Sequence, residues 1–449
     1  MMRMFNPFRC APVLMLVIWF GALAGFVPVW AIDLERVANL TLDNSLEIKR
    51  FNEKTIALNM RIQEKQGGFG PSIGLTIAHT LTDQTKPIDI EKRENDYAIS
   101  LSQPLYKPGL WHDYQEARLN AGILAVQLRE LQENLVLESL LAVMDICRLR
   151  SRMAITKNSM AFVNKTVHIQ KRLLETGYGA RIDLVEAEVE LARYRKDYSE
   201  LETQLRLKLI DLEDRSGIQW DEKDFPTVID PDLDPGRDLP SDSVSDWLET
   251  AHRESNQLER IALNRELNRI AEARGYNNFK PQVDLTLTYH QALEEAVTRN
   301  RVDDSSIKLS MSLGFSPFST YYQIQRFAIE DNTLRIEADK VKKDLADGIH
   351  RLIRSIKLKS ATIETQKDWK TRQKTIVEMY EKGLKQRHFP FSRFLENSRK
   401  YNESQHDLAQ TFIDIWEDRI RLLHLSGQLK AEVLEQLARD FERLSDSAG

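Results

Sequence analysis

The chain is short of most of what ties a protein to chemistry. It has two cysteines in 449 residues. Cys10 sits at the start of an N-terminal apolar stretch, so Cys147 is the only thiol of the remainder and no internal disulfide can form there. Cys147 falls in an apolar helical run and is expected to be a small buried hydrophobe. There is no HExxH, no Walker glycine loop, no nucleophile elbow and no Cys/His ligand cluster. Basic charge is not in excess either: 63 Lys+Arg against 68 Asp+Glu give a formal net charge of −5. That balance, with no basic face interleaved with aromatics, excludes a nucleic-acid partner. The expectation is a non-enzyme with no cofactor and no metal.

Long apolar runs are also missing beyond residue 31. Residues 1–31 combine a basic start (Arg3, Arg9), an apolar stretch from Ala11 to Val29 and a small-residue end at Ala31. That is the pattern of a secretory signal. Any later membrane contact must come from something other than a spanning helix.

Helix breakers are scarce where it matters. After Pro108 no proline occurs before Gly177, and Gly109 and Gly122 are the only glycines between them. Leu124, Leu128, Leu131 and Leu135 step by four, three and four, the seam of a coiled coil. At ~1.5 Å per residue such a helix runs to roughly 100 Å. A counterpart spans about 318–382. Each is followed by a break and a returning helix, with Ile182, Val185, Val189 and Ala192 in one and Leu408, Phe412, Trp416, Ile420 and Leu423 in the other.

What the chain does contain, it contains twice. Asn44-Ser45-Leu46-Glu47 recurs as Asn256-Gln257-Leu258-Glu259, Pro71 as Pro281, Gly177 as Gly383 and Gly217 as Gly427. These matches define two units, 32–217 and 247–427, joined by an acidic, proline-rich linker at 218–246 and followed by a tail at 428–449. The linker's Asp230, Asp232 and Asp234 do not make a calcium loop, because Pro235 replaces the turn glycine and Ser241 the bidentate glutamate. Each unit reads helix, strand, strand, very long helix, turn, helix, the opening helix of the first covering 33–66.

The strands carry the membrane argument. Ile73, Leu75, Ile77 and Leu81 alternate with Ser72, Gly74, Thr76, Ala78 and Thr80; Tyr97, Ile99 and Leu101 alternate with Ala98, Ser100 and Ser102. In the second unit Val283, Leu285, Leu287 and Tyr289 oppose Asp284, Thr286 and Thr288, and Ile307, Leu309, Met311 and Leu313 oppose Lys308, Ser310 and Ser312. Period-two alternation reads as two-faced strands. Their length of about ten residues is what a tilted strand needs to cross a bilayer. Four strands cannot close on themselves, and open edges are not tolerated in hydrocarbon. Three copies give an even, antiparallel twelve-stranded barrel, apolar outside and polar inside. Thr76, Ser100, Asp284, Thr286, Lys308 and Ser310 are then lumen-facing. The charged stretches Asp83–Asn95 and Gln291–Asp304 are loops, and Pro71, Pro104, Pro281 and Pro317 mark the bends between strand and helix. His79 and His290 fall on opposite faces by parity. Trp111, Tyr106, Tyr289, Tyr321 and Tyr322 lie near strand ends, suited to a membrane interface or to packing.

On this layout, on the strand exit Ser102-Gln103-Pro104-Leu105 and on the turn Gly177-Tyr178-Gly179-Ala180-Arg181-Ile182-Asp183-Leu184, the chain resembles the TolC-type outer membrane efflux proteins. The resemblance covers nearly everything after the signal. It implies a mainly α fold with a small β part: a homotrimer whose outer membrane barrel continues as an α-helical coiled-coil tunnel in the periplasm. It implies no catalysis, and partners at the tip: a periplasmic adaptor and an inner membrane pump or ABC exporter, as in tripartite efflux or type I secretion. Gly177, Gly179, Asp183, Leu184, Gly383, Phe389, Pro390 and Phe391 would form the tip, the second turn being some four residues longer after Gly383. In that family the returning helix carries two entrance carboxylates three residues apart. Arg393 and Glu396 stand there, which departs from the pattern. Asp183→Pro is expected to interrupt the first returning helix. The competing expectation is a periplasmic coiled-coil adaptor or scaffold that never spans a membrane.

Overall fold

A computed structural model describes residues 34–84, 90–228, 243–294, 301–314, 316–386, 390–429, 433–437 and 439. The N-terminal stretch read as a signal, the Asp230/Asp232/Asp234 stretch and Phe389 lie outside these residues. The first unit comprises α1 (Leu34–Asn44), α2 (Leu46–Gly67), β1 (Ser72–Gln84), β2 (Ile90–Tyr106), α3 (Pro108–Glu175) and α4 (Arg181–Ser216). The second comprises α5 (Val244–Glu254), α6 (Asn256–Gly275), β3 (Gln282–Glu294), β4 (Arg301–Ser312), α7 (Pro317–Gln386) and α8 (Phe391–Leu425).

The opening helix is two helices. Ser45 leaves the helical region (φ −61°, ψ 116°) and its hydroxyl accepts from the Ile48 amide, capping α2. Ser255 does the same for Leu258 at the start of α6 (φ −67°, ψ 111°). These two serines are 210 positions apart, so the apparent repeat of Asn44 as Asn256 slips by two. An N-cap hidden in a continuous helical pattern leaves no gap in the periodicity, and the break is invisible there.

The long helices are as expected: α3 has 68 residues and α7 has 70, each roughly 100 Å at the α-helical rise. Both begin on a proline, Pro108 and Pro317, where the missing N–H costs nothing. Pro104 is therefore not the bend. It lies inside β2, at a register shift between Pro104 and Tyr106, the irregularity that lets a proline end a central strand.

α4 packs on α3, α7 packs on α8, and α3 meets α8. α4 and α7 are thus the outer flanks. The core at mid-height joins Leu140, Val143, Met144 and Cys147 of α3 to Phe412, Trp416, Ile420 and Leu423 of α8. α1, Phe225, Trp247 and Leu437 wrap it as a belt. Cys147 is fully buried, and burial pushes its thiol up to about 12. The α8 seam is buried as the spacing predicts. In α4, however, Ile182, Val185 and Val189 point outward, and Ala187, Leu191, Leu201 and Leu205 make the buried face instead.

Candidate functional site

The four strands form one antiparallel sheet in the order β1-β2-β3-β4. β2 pairs with β3, so the sheet fuses the two units, leaving β1 and β4 as edges. Register keeps parity across all three pairings: Ile73 faces Leu101, Leu101 faces Leu287, and Leu287 faces Ile307. The odd apolar positions from Ile73 to Ile77, Tyr97 to Leu101, Val283 to Tyr289 and Ile307 to Met311 therefore share one face. Among the described residues no helix covers that face: Ile73 is 80 % exposed, Ile307 79 % and Met311 71 %.

The even positions make a hydroxyl-rich face. Thr76, Ser100, Asp284, Thr286, Lys308 and Ser310 all lie on it by register. Ser102 Oγ and Thr286 Oγ1 are 3.4 Å apart, and Ser310 Oγ donates to the Asp284 carbonyl at 3.3 Å. A Cβ at Gly74 would meet Ser100 Oγ at 2.8 Å, so the serine hydroxyl would have to move aside. His290 lies on the same face, 3.5 Å from Asp96, with His79 on the opposite one. Among the described residues no group of His, Cys, Asp and Glu could hold a metal, and no helix is long and apolar enough to cross a membrane.

The strands are longer than the alternation alone implies, at 13, 17, 13 and 12 residues. Pairing continues into the charged stretches, as far as Gln84 with Ile90. The backbone ladder does not need one apolar face to persist, so the connecting loops are much shorter than Asp83–Asn95 and Gln291–Asp304. At the helix end of the sheet Trp111 and Tyr114 pack at 5.7 Å and Tyr321 with Tyr322 at 5.5 Å between ring centroids. Tyr97 and Tyr289 stand exposed toward the other end of the apolar face.

The far end of the helices is the tip. In the first unit α3 stops in a Schellman turn: the Tyr178 amide donates to Leu173 O at 2.8 Å and the Gly177 amide to Leu174 O at 3.0 Å. Gly177 is left-handed at φ 75°. Gly179 is required by space, because a Cβ there would lie 2.8 Å from the Leu174 nitrogen. Asp183 sits in the first turn of α4, where the helix dipole favours a carboxylate. First-turn amides have no helical acceptor, so proline at 183 leaves α4 intact and does not interrupt it.

The second tip differs from the expectation. Gly383 is buried within α7, which continues to Gln386; it does not punctuate the helix, and the turn is no longer than the first. Pro390 precedes α8 as its N-cap residue. Phe391 and Phe394 pack with Val377 and Ala187, and Phe162 lies 5.4 Å from Phe394. Arg393 occupies the position in α8 that Asp183 has in α4, 210 residues on, and reaches Glu396 at 3.5 Å. Lys400 donates to the Glu396 carboxylate at 2.8 Å. That bond, helped by Arg393, holds Glu396 below the usual carboxylate range. Nothing in the sequence pattern announced the next feature. Glu190 of α4, 2 % exposed, takes both arms of Arg399 of α8. Beside it Asn402 donates to Tyr194 Oη at 3.4 Å. These bonds tie the two hairpins near the tip. His406, a helical turn further on, is driven down to about 4, first by burial and then by Arg152.

No protein-family model matches the chain, nor does any curated protein sequence. Solved structures do. The outer membrane protein VceC of Vibrio cholerae superposes with a TM-score of 0.72 at 12 % identity, over 88 % of this chain and 96 % of that one. The CmeC outer membrane channel of Campylobacter jejuni gives 0.73 at 9 % identity, over 92 % and 89 %. CusC, described in terms of transmembrane channel formation, gives 0.75 at 12 %, over 88 % and 92 %. At such identity the likeness is one of fold, and over 88–92 % of its length the chain has the fold of these outer membrane channels. These likenesses give no support to a periplasmic adaptor.

Proposed function

We propose that the chain is one third of an outer membrane exit duct: a homotrimer with a twelve-stranded barrel in the outer membrane and a helical tunnel in the periplasm. The observation that carries this is the sheet, with one continuous apolar face that nothing covers and two unpaired edges. Water makes such a surface costly at about 25 cal/mol per Å², and open edges invite pairing. Lipid on the apolar side and neighbouring copies at β1 and β4 remove both costs together. The aromatic residues toward the two ends of the face suit the girdles of an outer membrane barrel.

The duct is read as a passive conduit. Its tip would dock a periplasmic adaptor and, through it, an inner membrane pump or ABC exporter. Docking is assigned to the first tip, where Gly177, Gly179, Asp183 and Leu184 define a turn and Ile182, Val185 and Val189 expose an apolar helical stripe. Arg393 and Glu396 do not make an anionic ring in this reading, because each carboxylate is held by Arg393 and Lys400 of its own chain.

The test is fractionation and reconstitution. The protein should pellet with the outer membrane, require detergent, run as a trimer and conduct in planar bilayers. A monomer that needs no detergent would overturn the reading. A trimer that inserts but never conducts, with its tip hairpins released by Glu190→Gln and Arg399→Gln, would leave the fold and remove the function.

A further inference from the structure

One flank of α4 is built differently from its repeat. Glu202, Arg206 and Leu209 follow at helical spacing and line a cleft of about 490 Å³ with Gln219, Trp220 and Glu222 of the segment that leaves α4. In the second unit the residues 210 positions on from Glu202 and Arg206 are Phe412 and Trp416, both buried. The same flank is filled with aromatic core in α8 and left open and charged in α4.

The segment that closes the cleft is firmly held. Gly217 ends α4 at a left-handed φ of 73°, and the Trp220 indole N–H donates to Ser216 Oγ at 2.8 Å. Buried Phe225 meets the indole ring at 6.0 Å in a T-shaped contact. Asp221 accepts from the Lys223 amide at 3.2 Å and fixes the short turn that follows. The Trp220 ring is thus pinned at its nitrogen and against Phe225 while it lines the cleft. Around it Glu202, Arg206 and Gln219 are exposed, and none of the three has a hydrogen bond or ion pair among the described residues.

These groups suit a sugar. An aromatic face packs on the C–H side of a pyranose ring, while carboxylates accept from its hydroxyls, a guanidinium donates in a planar fork and an amide does both. The volume falls within the ~300–1,000 Å³ of small-molecule sites. An anionic ligand is disfavoured, because Glu202, Asp221 and Glu222 outnumber Arg206 even with Arg150 nearby. Among the described residues no acidic group here could hold a metal.

Position supplies the occupant. The segment after Gly217 crosses the helical layer at mid-height, with Trp220 and Phe225 packed on the core there. In a duct that face is the outer one, since a strap across the inner face would block the lumen. The other side of α4, with Arg193, Asp197 and Gln204, lines a separate cavity shared with α3 and α8. The cleft therefore looks outward about halfway along helices of roughly 100 Å, in the space between two membranes where the cell-wall glycan lies. Resting on the duct reading above, we infer that this cleft binds a strand of that glycan, stacking a sugar on Trp220 and holding its hydroxyls with Glu202, Arg206 and Gln219.

The test uses the full chain as a detergent-solubilised trimer. Mixed with purified cell-wall sacculi stripped of bound protein, it should pellet with them. Excess chitotetraose should release it, and free stem peptide should not. Glu202→Ala with Arg206→Ala, both at exposed positions, should weaken binding about tenfold, the loss expected for one or two hydrogen bonds. Trp220→Leu should weaken it further; because that change also touches Phe225, the thermal midpoint is read alongside and the double variant decides. A double variant that pellets like wild type would overturn the inference. So would release by stem peptide alone, which would place the contact on charge and not on sugar. Wild type that forms a conducting trimer yet stays in the supernatant would refute the cleft and leave the duct. If no trimer forms, the duct reading itself fails, and the cleft with it.

Discussion

The two units share a backbone and divide the labour differently. In the first, the outgoing helix α3 is the buried one and the returning α4 shows apolar residues to the outside. In the second, the returning helix α8 holds the core, from Phe391 to Leu423, while the outgoing α7 carries exposed Ile336, Leu358, Trp369 and Met379. The difference follows from position and not from propensity. α3 and α8 lie against each other in the middle of the chain, and α4 and α7 form its margins. The same helix pair sits in two environments, and leucine and isoleucine stay exposed at the margins, as the proposed contact with a neighbouring copy requires.

That contrast can be broken most severely at Phe412, fully buried on α8. Phe412→Ala should cost about 3–5 kcal/mol, whereas Glu202→Ala at the exposed equivalent on α4 should leave the thermal midpoint unchanged. Arg148 comes next. It bridges Asp145 at 2.6 Å, Asp414 at 3.1 Å and Glu417, and Arg148→Leu would strand three half-buried carboxylates beside Lys208 alone, at a cost of about 2–4 kcal/mol. Adding Glu417→Leu should recover part of that loss, because an apolar pair then replaces the charged one.

A pH effect is smaller and separates His406 from its exposed equivalent, Lys196. Folding depresses the His406 pKa from 6.5 to about 4, so the unfolded chain binds the extra proton between those values. The stability contribution is complete above pH 6.5 and is lost as pH falls toward 4, by about 2 kcal/mol after allowing for partial solvent access. Denaturation of wild type and His406→Gln at pH 7 and pH 4.5 checks it; equal pH slopes would contradict the burial argument. The smallest effect is at the tip. Arg393→Asp puts the Asp183 charge at the positive end of α8 but loses the contact with Glu396, and should raise the midpoint by about 1 °C.

Much of this was legible in the residues. Period-two alternation placed all four strands and sorted their faces correctly, because a half-buried strand in a barrel has to alternate. The long helices were legible as stretches without proline. What failed was punctuation. Gly383 looked like the partner of Gly177 but lies inside α7, since a helix braced by neighbours tolerates a glycine. Pro104 looked like a bend and is absorbed by a bulge. The serines at 45 and 255 break helices without disturbing their pattern. At the tip, the aromatic cluster around Phe391 and Phe394 could be suspected from composition. The Glu190–Arg399 tie could not, because it joins residues 209 positions apart that occupy non-equivalent sites in the two units.

Length itself has a mechanical meaning. A stiff arm of some 68 residues, roughly 100 Å, turns one degree of tilt at its proline root into about 2 Å of travel at its free end. A contact at that end, such as Glu190 with Arg399, works with the whole arm as its lever. A single bidentate bond placed there resists swings that a far larger patch of packing near the pivot could not stop.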